Sequence, residues 1–414
     1  MVRNQIGVPM DTKIIIVAIV AIVAVAGVAT FFALNNGGGN DNPEDDHYVS
    51  LGLTNDYFPD HTCCVVAANY EYLNTNGLGI EKFLAGYTDG VDFIITAMAD
   101  VTSDDYKWLV DFTKSKVPGL TEKEVKAALS NITYLYGDDI DGSLTMLSDD
   151  IEDLIEGLDD VGALTKTVDP EDFVESYVDS SYLIAANENK EALKGGSGNN
   201  VTVAVISGDI HQIAIHVAIE KKFFDDYGTK VTISNTTNGA GVATSLINGD
   251  AHIGFLGAPP ATINMINGGY ITSDGVQDAK KAYNLVARVN TEGSGLFVKE
   301  KLLDNSNSII PERNGVPFYT KNSLGFHVTP ANAKAWGGLI FATPGTTSIQ
   351  HIQLLTLASD LGLEVKQYMV GEKIDSNTIY YVTNLANFQS IINDKSVNAG
   401  IIWEPQYQRI IQES

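Results

Sequence analysis

Apolar positions along this chain fall into three regimes. The first is a run without charge, residues 14–34, which opens at Ile14 and closes at Leu34. It matches the ~20 residues a helix needs to cross a bilayer. The second regime, residues 48–186, is mostly helical in period. Phe83, Leu84, Tyr87, Val91, Ile94, Ile95 and Met98 fall on one helical face, and Leu144, Leu147, Ile151, Leu154, Ile155 and Leu158 on another. One strand, 63–67, precedes these helices. Its continuous apolar run predicts burial on both faces, as in a parallel sheet, with Cys63 and Cys64 pointing to opposite sides.

The third regime begins after residues 195–198, which read Gly-Gly-Ser-Gly, a flexible linker composition. From 199 onward strands and helices alternate. Strands are expected at 201–206, 230–234, 252–256 and 284–289, with helices at 210–224 and 239–248. A second α/β unit follows, with strands at 339–342, 364–370 and 399–402 and helices at 347–361 and 385–393. Such alternation predicts parallel sheets covered by helices on both faces.

Charge sets the orientation of the first regime. Arg3 and Lys13 precede it, and Asp41, Glu44, Asp45 and Asp46 follow. Positive flanks stay in the cytoplasm, so the body is expected outside, on an uncleaved anchor. A cleaved signal peptide is the rival, since Ala26, Gly27 and Ala29 offer small residues, but its apolar core is typically ~7–15 residues. No cysteine follows the segment closely, which argues against a lipid anchor.

Composition narrows the classes. The chain has 414 residues, enough for two or three domains at roughly 100–200 each. Hydrophobic residues make up 44% and charged residues 19%, a core-forming mixture that excludes a disordered chain. A net charge of −26 repels phosphate backbones and excludes nucleic acid as the expected partner. The only cysteines, Cys63 and Cys64, are adjacent; they neither staple a fold nor make a zinc site by themselves. Ten acids and no base lie between Asp138 and Asp160, which reads as a solvated helix face.

Catalytic signatures are absent. There is no phosphate loop, no HExxH and no GxSxG elbow. His211 and His216 are five apart, so they diverge on a helix and do not share a metal. What stands out is a set of turns at strand carboxyl ends: Ser207-Gly208-Asp209, Asn238-Gly239-Ala240-Gly241, Gly257-Ala258-Pro259-Pro260 and 343–348. Ligands of open α/β sheets sit in this crevice, and helix N-termini there favour an anion or a carbonyl oxygen.

These turns, in this order, carry a resemblance. The stretches VISGDIHQIAIHVAIEKKFFDDYG, NGAGVATSLINGDAHIGFLGAPPATI, VNTEGSGLFV, GLIFATPGTTSIQHIQLL and AGIIWEPQYQ are similar to the nitrate/sulfonate/taurine and thiamine-precursor class of ABC-transporter solute-binding proteins. The resemblance covers about 199–414 and implies a periplasmic-binding-protein-like α/β fold, with two lobes, a hinge and solute held between them. Residues 48–186 resemble what that family places after its Trp-x-Pro element. The order therefore reads as a circular permutation, joined by Gly195 to Gly198. A fragment of a tandem protein and an exchange of segments between chains are the alternatives.

On this reading 1–47 is anchor and linker. Residues 48–290 are lobe 1 (48–186 C-terminal-like, 187–198 linker, 199–290 N-terminal-like), and 291–414 are lobe 2 on a single covalent hinge. The expected ligand-binding residues are Gly208, Asp209, His211, Gln212, Gly239, Ala240, Gly257, Ala258, Thr346, Thr347, Ser348 and Trp403. Among them His211 and Gln212 would supply side-chain donors, and Trp403 an apolar wall. The partners implied are a small solute, an ABC permease with its ATPase, and the membrane through residues 14–34, with no cofactor, no metal and no catalysis. Two other functions fit the same frame: a thiamine-pyrimidine synthase-like enzyme, for which His211 is the candidate reactive group, and a membrane-anchored sensor.

Overall fold

The computed structural model describes residues 47–59, 61–137, 145–268, 282–305 and 308–413. The apolar segment 14–34 and Leu144 lie outside them. Among the described residues no helix is long and apolar enough to cross a membrane.

Two six-stranded sheets organise the body. The first runs β3 (Ile132–Tyr134), β7 (Tyr283–Glu292), β2 (Thr62–Asn69), β6 (Ile253–Gly257), β4 (Asn199–Ile206) and β5 (Thr229–Thr236). Strand β2 fills a slot between β6 and β7: Val65 pairs with Leu256 on one side and Arg288 on the other. Every residue of β2 is buried. A run such as Val65–Val66 suits that position, because burying each side chain stabilises by roughly 1.5–3 kcal/mol. The expectation that 63–67 belongs to the 201–289 sheet is met. Its surroundings are corrected, since β2 is antiparallel to both neighbours. The strand arrives from the other lobe and enters this sheet from the opposite end.

One face of this sheet is covered by α1 (Gly77–Ala99), through Phe83, Tyr87, Val91 and Ile94, and by α4 (Ile213–Glu220). The other is covered by α3 (Thr145–Asp160), α5 (Gly239–Asn248) and α6 (Ala258–Asn267). Helix α2 (Glu122–Ser130) leads into β3. The helical period read in 48–186 is thus the inner face of a sheet layer. The helix expected at 210–224 is interrupted: a 3-10 turn occupies Ile210–Gln212, and Lys222 takes a left-handed φ of 64° before the short helix Phe223–Asp226.

Gly90 of α1 shows how closely the two sequence halves pack. A Cβ there would lie 2.7 Å from Ala218 Cβ and 2.9 Å from Ala214 O, both on α4. Gly90→Val is expected to destabilise by about 1–3 kcal/mol through overpacking, measured as a fall in thermal midpoint. An unchanged midpoint would mean that α1 and α4 are free to part.

The second sheet runs β1 (Tyr48–Leu53), β8 (Ser294–Lys299), β16 (Ala399–Trp403), β13 (Ile340–Ala342), β15 (Thr378–Val382) and β14 (Glu364–Gln367). Two small hairpins, β9–β10 (Glu312–Arg313, Val316–Pro317) and β11–β12 (Thr320–Asn322, Gly325–His327), lie outside it. Its core centres on Trp336, fully buried with Phe318, Phe341, Leu354 and Ile401. Helices α7 (Ile349–Leu361) and α8 (Gln406–Glu413) pack on it.

Two expectations are corrected here. Residues 48–53 pair with β8 of the second sheet, so they do not belong to lobe 1. The chain consequently crosses between the sheets twice, once between β1 and β2 and once between β7 and β8, not over one covalent hinge. Tyr48 is the reason at the residue level: its ring meets Phe297 edge-on at 5.3 Å, a contact available only beside β8.

Candidate functional site

Strand directions bring both sets of carboxyl ends to the same place. Strand β7 ends at Glu292 and β8 starts at Ser294, so one residue, Gly293, separates the two sheets at this crossing. Because β8 is antiparallel to β16, Ser294 lies opposite Trp403 at the carboxyl end of β16. Strands β13 and β15 run parallel with β16 and end on the same edge. In the first sheet the carboxyl ends of β4, β5 and β6 lie on the edge where β7 ends, beside the start of β2.

All twelve expected site residues lie at these ends. Gly208 and Asp209 follow β4, Gly239 and Ala240 open α5, Gly257 and Ala258 join β6 to α6, Thr346 and Thr347 precede α7, Ser348 is its N-cap, and Trp403 closes β16. Gly208, Ala240, Thr346 and Thr347 are exposed, and Gly239, Gly257, Ser348 and Trp403 half-buried. Gly239 and Gly257 both lie against Pro260, whose ring would be 3.0 and 3.1 Å from an added Cβ, so a side chain at either position would press on that ring.

His211 and Gln212 do not offer free donors, which corrects the expectation. Gln212 is fully buried; it donates to Phe255 O at 3.0 Å and accepts from Ile206 N at 2.9 Å. His211 is 2% exposed, with Nδ1 2.8 Å from Asp209 Oδ1 and Nε2 3.0 Å from Gly293 O. Both side chains hold the β4 turn in place. Ala258 is likewise a core residue.

Helix α7 supplies features that sequence reasoning passed over. Ser348 Oγ accepts from His351 N at 3.2 Å, a typical N-cap, and the first helical turn leaves amides without intrahelical partners. Thr343 Oγ1, His351 Nδ1 and Gln353 Oε1 are buried without a hydrogen-bond partner among the described residues. His351 meets Tyr381 of β15 edge-on at 4.6 Å, and burial pushes its imidazole down to about 4, so it is neutral near pH 7. A histidine flanked by Gln350 and Gln353 on the first turns of the helix, after the 343–348 turn, was the available signal.

The lobes touch beside this helix. Ile352 of α7 packs with Ile263 of α6 and Leu158 of α3, and Gln353 Nε2 lies 3.1 Å from His61 Nε2. Nearby in the first sheet, Arg288 Nη2 pairs with Asp150 of α3 at 2.6 Å and its Nε donates to Thr62 Oγ1 at 2.8 Å. Thr62 in turn donates to Asp150. Asp150 is therefore not part of a solvated acidic face, as its surroundings in sequence had suggested.

Cys63 and Cys64 also depart from expectation. The ladder shifts register around them, both side chains join the same apolar cluster, and their sulfurs lie 3.8 Å apart. A bulge breaks the alternation that would have sent them to opposite faces. The Cys63 thiol is lowered by its hydrogen bond with Cys64, against burial, and by the charge on His211, while Cys64 is raised. Among the described residues no group of three or more His, Cys, Asp or Glu could hold a metal ion.

With this geometry in place, comparison with known proteins is decisive for class. The model of the NMT1-like family matches residues 198–414, just over half of the chain. The chain belongs to the NMT1-like family. It is thereby a member of the solute-binding class of the nitrate, sulfonate and thiamine-precursor type. No curated protein and no solved structure matches the chain. The NMT1-like region begins at β4 and ends with α8. Strands β1 to β3 and helices α1 to α3 of this NMT1-like protein lie outside it, although β2 occupies the middle of the first sheet.

Proposed function

We propose that this NMT1-like protein captures a small solute between its lobes outside the cytoplasm and delivers it to an ABC permease and ATPase, tethered by residues 14–34. The observation that carries this reading is the meeting of both sets of strand carboxyl ends at the Gly293 crossing, with buried unpartnered polar groups at the start of α7. No catalysis is proposed. A synthase-like enzyme would draw on Cys63 and His211, but both ring nitrogens of His211 already face acceptors.

The order of the halves is proposed to be a circular permutation, because β2 precedes β6 and β7 in the chain yet lies between them in the sheet. The solute classes in view are nitrate, bicarbonate, a sulfonate or a pyrimidine. Thr343, Ser348 and His351 offer neutral polar groups, and the α7 N-terminus adds the positive end of a helix dipole, which favours a small anion.

Thermal shift of the full chain against these solutes tests the reading, and one of them is expected to raise the midpoint. With that solute, Thr343→Val and His351→Phe are each expected to weaken binding roughly tenfold, the worth of one hydrogen bond in a dry site. If no solute in the panel shifts the midpoint, solute binding in this cleft is wrong. If both variants bind as wild type, the α7 end is not the site.

A further inference from the structure

Gly293 stands alone between β7 and β8, and its neighbourhood is unusual. Glu292 and Gly293 have φ of 69° and 88°, both left-handed, a conformation that costs a non-glycine residue and persists only when its surroundings enforce it. A Cβ on Gly293 would lie 2.2 Å from His211 Nε2, so glycine is required here on two counts. Two donors converge on the Gly293 carbonyl: His211 Nε2 from the first lobe at 3.0 Å and Glu404 N from the end of β16 at 2.8 Å. Glu404 also reaches back, for its Oε1 accepts from Asn131 Nδ2, at the end of α2, at 2.7 Å and from Gln408 Nε2 at 3.1 Å. His211 and Glu404 are both buried.

Hydrogen-bond direction settles the state of His211. Its ring nitrogens face a carboxylate oxygen of Asp209 and a peptide carbonyl, and neither can donate. Both nitrogens must therefore carry protons, and the ring is an imidazolium. Neutral imidazole keeps only one N–H and loses one of the two bonds.

We propose that His211 is the positioning residue of the interlobe hinge: as an imidazolium it clamps the Gly293 carbonyl together with the Glu404 amide, and so sets how far the lobes stand apart. This inference rests on the solute-binding reading, in which the lobes close on a ligand. His211 acts through Gly293 and touches no solute. Hinge residues that absorb a φ/ψ change, far from the ligand contacts, are the usual place for such control.

The charged and titratable groups around His211 are Asp209 on its own turn, Cys63 on β2, Glu404 after β16, and Tyr134 on β3, whose hydroxyl donates to Ile210 O at 2.9 Å. Burial opposes the His211 charge, but Asp209 and Cys63 outweigh it and raise the group from 6.5 to about 9. Because the folded value lies above the ordinary one, the clamp is whole below about pH 6.5 and is lost as pH rises through about 9. Burial pushes Glu404 up to about 7, so its titration falls in a lower window and is separable.

The experiment measures interlobe distance without any ligand. Nitroxides are placed on the full chain through Thr244→Cys on α5 and Ser359→Cys on α7, both exposed, while native Cys63 and Cys64 are buried. Wild type is expected to give a narrow distance distribution at pH 7 that broadens toward longer distances between pH 8 and 10. His211→Gln is expected to be broad already at pH 7 and insensitive to pH, and Cys63→Ala to keep a pH response that is shifted to lower pH, since Cys63 helps raise His211. Should His211→Gln fail to fold, Asn131→Ala at a half-buried position decides: it is expected to broaden the distribution at pH 7 while leaving the pH 8–10 response in place. Distributions identical to wild type in His211→Gln, or in Asn131→Ala where that variant decides, overturn the proposal. So does a pH response abolished by Cys63→Ala but not by His211→Gln. Failure of every solute to bind would remove the transport reading and leave these ligand-free distances unaffected.

Discussion

Residues 199–414 expressed alone are expected not to fold, although they contain nearly all of the region that matches the NMT1-like family. Without β2, strands β6 and β7 in the middle of the first sheet lose their shared partner, and without α1 one face of that sheet keeps only α4 as its long cover. Unpaired buried backbone groups cost on the order of 1–3 kcal/mol each, and β2 pairs with β6 along five residues and with β7 along seven, so the loss rivals the whole stability of a typical domain, about 5–15 kcal/mol. Circular dichroism and limited proteolysis should show no cooperative transition for 199–414. Supplying 47–194 as a second chain should restore one. A rearranged chain, 199–413 followed by a flexible linker and 47–194, should also fold, since α8 lies against β1: Tyr407 Oη donates to Ser50 Oγ at 2.5 Å. A cooperative transition from 199–414 alone, or failure of the rearranged chain, would contradict the permutation proposal.

Asp150→Ala is expected to lower stability by about 3 kcal/mol, because it removes the carboxylate beside a guanidinium that is only 3% exposed. For a lobe of this size that is roughly 6–12 °C in midpoint. Adding Arg288→Met should recover part of the loss, since an apolar side chain of similar length tolerates the site better than a buried charge left without its carboxylate. If the double variant is no more stable than Asp150→Ala, the ion pair is not what holds α3 to the sheet.

The elements that were legible in sequence have a clear local period. Gly239–Asn248 falls where it was expected, because Asn238 caps its start and Gly249, in a left-handed conformation, ends it. The face of α1 was readable for the same reason, with Ile95 as the exception, since it is 47% exposed. Strand β15 was missed although Thr378–Val382 is a β-prone run bounded by Asp375-Ser376-Asn377 and Asn384, so the signal was present and was passed over. Assignment of 48–53 to the first lobe failed because 48–186 was taken as one block on its family resemblance, whereas pairing with β8 is a contact across more than 240 residues.

In the candidate site, the turns were legible and the partners were not. Glycines and caps at strand ends announce themselves within a few residues. That His211 spends its ring on Asp209 and on a carbonyl 82 residues away does not. Asp150 was misread because an acid run says nothing about which member turns inward to an arginine 138 residues later. Cys63 and Cys64 were misread because strict alternation holds only in an unbulged strand.

The position of β2 also sets a timetable for biosynthesis. This strand leaves the ribosome 184 residues before the first residue of β6 exists (253 − 69). At translation rates of 5–20 residues per second, that is a wait of roughly ten to forty seconds. Throughout it, Cys63-Cys64-Val65-Val66-Ala67 is an uncharged, β-prone run with no proline and neither of its neighbours β6 and β7. In the nascent chain this run therefore stays without its strand partners until residues 253–292 have been made.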